Sequence, residues 1–358
     1  MNLKWLLLFV PVAIALAWLN ADPILVFIAS ALAIVPLAGL MGDATEALAR
    51  FLGPTLGGLL NATLGNAPEI IIGFFALKHG LVDMVKASIT GSIIGNLLFG
   101  LGVSILAGGL KSPRKPMVFD VTAARVHAGS LLLAMFGLII PAVFNFSTNS
   151  EHEISLHIAL VLFLGYLVSI VVTLTSGASD AETDIGAEGP LIENEAEAMG
   201  WSRNKALVIL SVVAVGLAGM SEIMTDAVDP AAASLGFTPL FAGVFLLAMV
   251  GNAAELMSSV RFARRNQLDL SLGITVGGSA QVALLVVPLL VFFGLVLGQD
   301  MNLLFSQFEL LAIVLTVIAV INVLQSGSVR WAAGAMLIAV YVMLGIGFYY
   351  APASVTGG

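Results

Sequence analysis

Gly65-Asn66-Ala67-Pro68-Glu69 recurs, with one change, as Gly251-Asn252-Ala253-Ala254-Glu255, 186 positions further along the chain (251 minus 65). Each copy lies inside a long apolar run. A carboxylate at bilayer depth costs about 2.5–3.5 kcal/mol on insertion scales, so an acid in such a run indicates a functional residue. Two such acids in matched positions of two halves are typical of a transporter with internal repeats.

The residues around each glutamate indicate a cation site. Asn and Glu are three residues apart in each copy, which on a helix places them on one face. Gly precedes both Asn residues and Pro68 interrupts the first copy. A broken helix is tolerated at membrane depth only where the freed carbonyls line a cavity or pack against protein. Because carboxylate, amide and carbonyl oxygens suit a hard cation, Glu69, Glu255, Asn66 and Asn252 are the first candidates for cation binding.

Composition places the chain in the membrane. Of its 358 residues 59% are hydrophobic and 10% are charged, whereas a soluble domain carries about 25% charged residues. The absence of cysteine excludes disulfides and thiolate metal sites. The net charge of −8 comes mostly from one acidic segment, and it argues against a nucleic-acid partner. We expect the lipid bilayer as surroundings and no cofactor.

Eleven apolar runs are long enough to cross a bilayer, which takes about 20 residues each. We therefore predict an all-α polytopic membrane protein with eleven transmembrane helices. The first run follows Lys4 and has no convincing small-residue cleavage site, so we interpret it as a retained span rather than a signal peptide. The runs lie near 4–20, 24–50, 54–78, 84–110, 118–142, 154–176, 202–227, 238–261, 270–298, 303–325 and 331–350.

Positive charge predicts the orientation. If the spans alternate, Lys78 and Lys86 fall on one side and the other twelve Lys and Arg residues fall on the opposite side. Loops rich in Lys and Arg stay in the cytoplasm. The N-terminus and the acidic segment are therefore expected in the cytoplasm, and the C-terminus on the far side of a prokaryotic inner membrane.

The span count predicts an inverted repeat. One N-terminal helix (1–23) precedes two sets of five spans (24–176 and 201–358), which a cytoplasmic acidic segment (177–200) separates. Because five is odd, the second set enters the membrane from the opposite side, and such repeats can open to either face around one midplane site. At an offset of 186 the matches also include Leu60/Leu246, Ala62/Ala248, Asp83/Asp269 and Gly91/Gly277.

With these residues in view, nearly the whole chain resembles the calcium/proton antiporter (cation exchanger) family of the calcium–cation antiporter superfamily. The acidic segment between the two halves also fits that family's acidic helix. The resemblance rests on Gly57-Gly58-Leu59-Leu60-Asn61-Ala62-Thr63-Leu64-Gly65-Asn66-Ala67-Pro68-Glu69, on Gly91-Ser92-Ile93-Ile94-Gly95-Asn96, on Gly251 to Glu255, and on Gly277-Gly278-Ser279-Ala280-Gln281.

The resemblance implies that the chain exchanges cytosolic Ca²⁺ for H⁺ by alternating access and is not an enzyme. It implies that Glu46 and Glu222, which end matched spans, handle protons or cations on the mobile second and seventh spans. Two departures from the family's usual residues leave open the preference between Ca²⁺ and Mn²⁺ and the handling of protons. The family often has Thr where Pro68 stands and His where Leu256 stands.

Several candidates have structural alternatives. Asn66 and Asn252 either bind the ion or hold neighbouring helices together by hydrogen bonds. The polar residues of the Gly-rich spans either line the site or pack between helices: Ser92, Asn96, Ser279 and Gln281. Glu46 and Glu222 are alternatively interfacial charges, and we interpret Asp120 and Glu309 as structural. None of His79, His127, His152 and His157 forms a metal-ligand pair with an obvious carboxylate. The acidic residues are either a solvated linker or a helix that senses calcium, without EF-hand spacing: Asp180, Glu182, Asp184, Glu188, Glu193, Glu195 and Glu197.

Three other functions compete with antiport. A sodium/calcium exchanger typically carries small hydroxyl residues before its Pro-Glu, where this chain has Gly-Asn-Ala. Inverted repeats with paired midplane acids favour alternating access over a cation channel, and the turnover rate would distinguish the two. An intramembrane hydrolase is disfavoured because the chain has no His-Glu-x-x-His or Gly-x-Ser-x-Gly motif. The proton stoichiometry, the oligomeric state and the facing state stay open.

Overall fold

The computed structural model describes residues 3–145, 151–175 and 200–352. The acidic segment 177–200, with all seven of its acids, therefore lies outside the described residues except for Gly200. The described chain is almost entirely helical. We number its helices α1 Trp5–Trp18, α2 Pro23–Gly53, α3 Leu56–Lys78, α4 Val82–Gly109, α5 Val121–Phe144, α6 Glu153–Val171, α7 Arg203–Ser234, α8 Pro239–Gly251 with Ala253–Arg264, α9 Leu268–Leu297, α10 Gln307–Leu324 and α11 Trp331–Tyr349.

The apolar runs form helices of spanning length. Within the described residues, nine helices are long and apolar enough to cross a membrane, and the bent α8 makes ten if its two parts form one span. The α1 helix, whose first turns are a 3-10 helix over Leu3–Leu8, is shorter. The fold is thus that of a polytopic all-α membrane protein with nine to ten candidate spans.

Helix breaks fall at both copies of the duplicated motif. Asn66 (φ −93°, ψ 10°) and Asn252 (φ −85°, ψ 0°) have nearly the same non-helical backbone. At Asn252 the two parts of α8 meet at a bend of 60°. The second copy breaks without a proline, so Pro68 does not cause the first break. It lies in the first turn of the new helix, where a missing N–H leaves no bond unmade.

Helices of the two halves pack across each other. The α2 helix runs along α7, and α5 lies against α10. The first part of α8 packs on the first part of α4, while α3 packs on the end of α9. The α11 helix lies against α4, and α6 lies against α9. Two short strands, β1 (Met117–Val118) and β2 (Ser328–Val329), pair antiparallel and join the loop before α5 to the loop after α10.

Candidate cation-binding site

The two motif glutamates line one cavity of about 830 Å³. Each glutamate is the third residue of the helix that begins after the break, at Ala67 or at Ala253. Both carboxylates therefore sit in the first turn, where the helix dipole is positive and an acidic side chain is stabilised. Each Asn immediately precedes its helix as the N-cap, three residues before the Glu within it.

Glu69 is the more buried of the two acids. It is 9% exposed, its Cγ lies against Gly251, and its Oε2 has no hydrogen-bond partner in the described part of the chain. Its carboxylate shares the cavity with that of Glu255. Two acids that share one cavity favour compensating positive charge, either a cation or protons.

Glu255 has a defined partner. Asn96 donates from Nδ2 to Glu255 Oε2 at 2.7 Å, and the carboxylate lies against Gly278. At the repeat offset of 186, Asn96 corresponds to Val282, so Glu69 has no equivalent amide from α9. The two glutamates are consequently held in different surroundings, although they come from the same motif.

The motif asparagines connect the two halves. Asn66 donates from Nδ2 to Gln281 Oε1 at 2.8 Å, and Asn252 donates from Nδ2 to the Ser92 carbonyl at 3.4 Å. Each amide thereby donates to the other half, and Asn66 Nδ2 also donates to the Ala62 carbonyl at 3.2 Å. The Oδ1 atoms of both are buried without a partner among the described residues. Together with Glu69 Oε2 they are acceptor oxygens lacking a donor, as a cation site requires.

The remaining α4 and α9 candidates divide into two groups. Gln281 lines the main cavity. Ser92 and Asn96 instead border two small voids of about 20 and 30 Å³. Ser279 is fully buried, lies outside the lining of the main cavity, and donates to the Thr275 carbonyl at 2.7 Å. Its hydrogen bond within α9 favours the packing interpretation for Ser279.

Glu46 and Glu222 lie in different places. Glu46 lines the cavity. Glu222 is at the opposite end of the site, where Lys78 Nζ lies 2.6 Å from its Oε1. His79 Nδ1 lies 3.7 Å from Asp226 Oδ1 beside this pair. The structure thus brings only one of the two predicted gating acids to the cavity.

The two acids that we interpreted as structural also differ. Glu309 accepts from the Ser306 N–H at 2.8 Å and from Thr90 Oγ1 at 3.2 Å, so it caps the start of α10 and lies outside the lining of the cavity. Asp120 lines the cavity at its loop end, where its N–H donates to Asp269 Oδ1 at 2.7 Å. The sequence did not indicate this position for Asp120.

Comparison with known proteins agrees with this geometry. The model of the family described as sodium/calcium exchanger protein matches residues 23–175 and 205–350. A protein named Ca(2+)/H(+) antiporter from Aphanothece halophytica is 40% identical over 97% of this chain and 96% of its own length. The chain belongs to the calcium/proton antiporter family.

Two further family members extend the comparison. A Ca(2+)/H(+) antiporter from Synechocystis is 37% identical and covers 97% of this chain and 96% of its own length. The solved structure of native YfkE superposes with a TM-score of 0.83 at 32% identity, covering 98% of this chain and all of that chain.

In this antiporter-family chain the two faces of the site are packed differently. On one face, a Cβ at Gly91 would overlap the Val244 carbonyl oxygen, and a Cβ at Gly243 would overlap Ala87. The first part of α8 therefore lies directly on α4. At the repeat offset, the counterparts of this contact are Gly277 on one helix and Gly58 and Ala62 on the other. They do not touch in the same way, because Ala62 lines the cavity and Gly277 contacts His127. We call the side where α4 touches the first part of α8 the closed face. The cavity side, lined by Ala62 and His127, is the open face.

Sequence reasoning missed several residues of the open face. His127 on α5 and Asp269, Arg261 and Gln267 near the α8–α9 loop all line the cavity. Asp269 was noticed only as a match to Asp83. The others come from parts of the chain without a repeated motif, and tertiary packing alone brings them together. Among the described residues no cluster of three or more His, Cys, Asp or Glu could hold a metal ion.

Proposed function

We propose that this protein exchanges Ca²⁺ for H⁺ across a membrane, with Glu69 and Glu255 as the shared binding groups. The observation that carries the proposal is the pair of motif carboxylates on one cavity, together with the buried Oδ1 atoms of the two motif asparagines, which have no donor among the described residues. Relatives named Ca(2+)/H(+) antiporters at 37–40% identity over nearly the full chain support it.

The chemistry of the site makes the two ions competitors. Ca²⁺ takes six to eight oxygen ligands and depends on their charge. Glu69 and Glu255 supply the charge, Asn66 Oδ1 and Asn252 Oδ1 supply neutral oxygens, and carbonyls or water complete the set. Protons on the two carboxylates remove that charge, so binding of either ion excludes the other. If the protein changes face only when the charge is neutralised, antiport follows.

We also propose the layout of eleven spans in which residues 1–23 precede inverted repeats 24–176 and 201–358. The helix packing supports an exchange of each span with the span five further on. Under this exchange, the contact of α3 with α9 corresponds to that of α8 with α4. In the same way, the contact of α4 with α11 corresponds to that of α9 with α6. Pairs α2–α7 and α5–α10 correspond to themselves. In detail, Gly73 packs on Leu290 where the offset counterparts Ser259 and Ser104 share a hydrogen bond of 2.8 Å.

The open cavity is proposed to face the cytoplasm of a prokaryotic cell. Arg261, Asn266 and Gln267 line its outer end, which is the side expected to hold twelve of the Lys and Arg residues. The closed face carries the Lys78–Glu222 pair. Glu46 and Glu222 then act as alternating caps on α2 and α7. The acidic residues 180–197 belong on the cytoplasmic side, as a solvated segment or a calcium sensor.

A flux measurement in proteoliposomes tests the exchange. With an acidic vesicle interior and Ca²⁺ outside, we expect Ca²⁺ uptake that collapses when a protonophore removes the pH gradient. Sodium on either side is expected to change the rate little, because the motif is not that of the sodium-coupled branch. Uptake that follows a sodium gradient and ignores pH would favour the sodium/calcium exchanger, and flux at channel rates without either gradient would favour a channel.

A thiol-labelling experiment tests which face is open. The chain has no cysteine, so single cysteines need no prior removal of others. Ser258 lines the main cavity, whereas Ser88 borders the small void beside Glu69 on the closed face. We expect a membrane-impermeant reagent to label Ser258→Cys from the cytoplasmic side and to leave Ser88→Cys unlabelled from both sides. Labelling of Ser88→Cys together with protection of Ser258→Cys would contradict the cytoplasm-facing assignment.

A further inference from the structure

His127 is a buried imidazole on the wall of the cavity. It is 7% exposed, and its Nδ1 is buried without a hydrogen-bond partner among the described residues. A buried polar atom left without a hydrogen bond costs about 1–3 kcal/mol. The other histidines of the described chain do not line this cavity. The protein therefore keeps an imidazole with an unpartnered ring nitrogen on the cavity wall.

The surroundings of the ring place it between the open end and Glu255. A Cβ on Gly277 would lie 3.2 Å from both Nδ1 and Cε1 of His127, so a larger residue there would push the ring a few tenths of an ångström away from α9. The next residue, Gly278, lies against the Glu255 carboxylate. On the other side, Asp269 lines the same cavity at its loop end.

Two other titratable groups near α5 are hydrogen-bonded to partners of their own. On α10, Glu309 is hydrogen-bonded to Ser306 and Thr90. On α6, the His157 ring is hydrogen-bonded to the Glu153 carbonyl and is exposed. Arg125 and Asp120 lie on α5 or just before it, and Arg125 is exposed. Asp120 and Asp269, which are joined by a hydrogen bond, both line the cavity with His127.

The chemistry of imidazole separates the two transported ions. Ca²⁺ is a hard cation that takes oxygen ligands, and imidazole is a poor match for it. An imidazole nitrogen, in contrast, binds and releases a proton. A histidine on this wall can therefore carry a proton while Ca²⁺ occupies the oxygens.

We propose that His127 is a proton relay between Glu255 and the open face of the cavity. As Ca²⁺ arrives, the Glu255 carboxylic acid gives up its proton, which crosses cavity water to the neutral His127 ring on the cavity wall. The imidazolium then releases that proton to water near Asp269, and neutral His127 is restored. The deprotonated Glu255 carboxylate can then bind Ca²⁺. This inference rests on the proposed function, since it requires Ca²⁺/H⁺ exchange.

Two modes of transport separate a relay from a structural role. Ca²⁺/Ca²⁺ exchange needs Ca²⁺ binding and the change of face, but no proton transfer. We expect His127→Asn, which keeps a polar side chain but cannot titrate, to slow pH-driven Ca²⁺ flux by about tenfold, below the usual range for acid–base groups because cavity water substitutes in part. Ca²⁺/Ca²⁺ exchange is expected to stay within about twofold of the parent, as for a non-reacting residue.

The control is His157→Asn, which removes an exposed imidazole of the same chain and should change neither mode. If the parent exchanges Ca²⁺ for Ca²⁺ but not for H⁺, the proposed function fails, whatever the variants do. If the parent performs both and His127→Asn slows both equally, or slows neither, the relay is contradicted. His127→Gln, measured in the same way, replaces the first variant should His127→Asn fail to insert.

Discussion

Glu69→Gln and Glu255→Gln are each expected to abolish pH-driven Ca²⁺ transport while the protein still inserts into the membrane. Each change keeps the side-chain size and one carbonyl oxygen but removes a charge and a proton-binding group. Losing a charged ligand, at about 3 kcal/mol, weakens Ca²⁺ binding by roughly a hundredfold. Insertion is preserved because an amide is cheaper in the membrane than a carboxylate.

Glu309→Gln is the matched control for these two variants. Glu309 is also a buried glutamate, 4% exposed, but it lies outside the cavity lining and caps α10. Glutamine also serves in a capping box, so transport by this variant should stay close to that of the parent. Flux should be compared at matched protein levels in reconstituted vesicles. Parental rates in Glu69→Gln and Glu255→Gln would place the site elsewhere.

Gly91→Ala is expected to produce the second largest effect, through the closed face. The added Cβ would overlap the Val244 carbonyl oxygen, and a backbone atom yields only if the first part of α8 moves off α4. Overpacking of this kind costs about 1–3 kcal/mol. We expect strongly reduced Ca²⁺/H⁺ exchange and, in the Ser88→Cys background, new labelling from the extracytoplasmic side.

The control for this change is Gly129→Ala on α5, where an added Cβ meets no atom within 4 Å. It should exchange Ca²⁺ at the parental rate and leave Ser88→Cys protected. If Gly91→Ala behaves in the same way as Gly129→Ala, the close contact between α4 and α8 does not seal this face.

Much of the fold follows from periodic local features of the sequence. The apolar runs marked the helices because spanning a bilayer requires length and low charge, which are local properties. The Gly-Asn pairs marked the two helix breaks, and the repeated glutamates did meet at one cavity. The prediction for Pro68 was less accurate, because the break occurs equally at the second copy, where Ala254 replaces proline.

The unpredicted features depend on which of two similar packings is formed. Glu46 and Glu222 end matched spans, yet one lines the cavity and the other pairs with Lys78. The repeat gives both faces comparable residues, so the sequence does not indicate which face is closed. His127 was likewise noticed only as an unpaired histidine, since its place beside Gly277 arises from the contact of α5 with α9.

The central claim is that Ca²⁺ and protons compete for the same two carboxylates. Proton release on addition of Ca²⁺ to the purified protein in weak buffer, followed with a pH-sensitive dye, tests it most directly. We predict release of protons by the parent, weaker Ca²⁺ binding as pH falls because protonation removes ligand charge, and no release by the Glu69→Gln, Glu255→Gln double variant. Saturable Ca²⁺ binding by the parent without proton release, at an affinity independent of pH, would contradict the account.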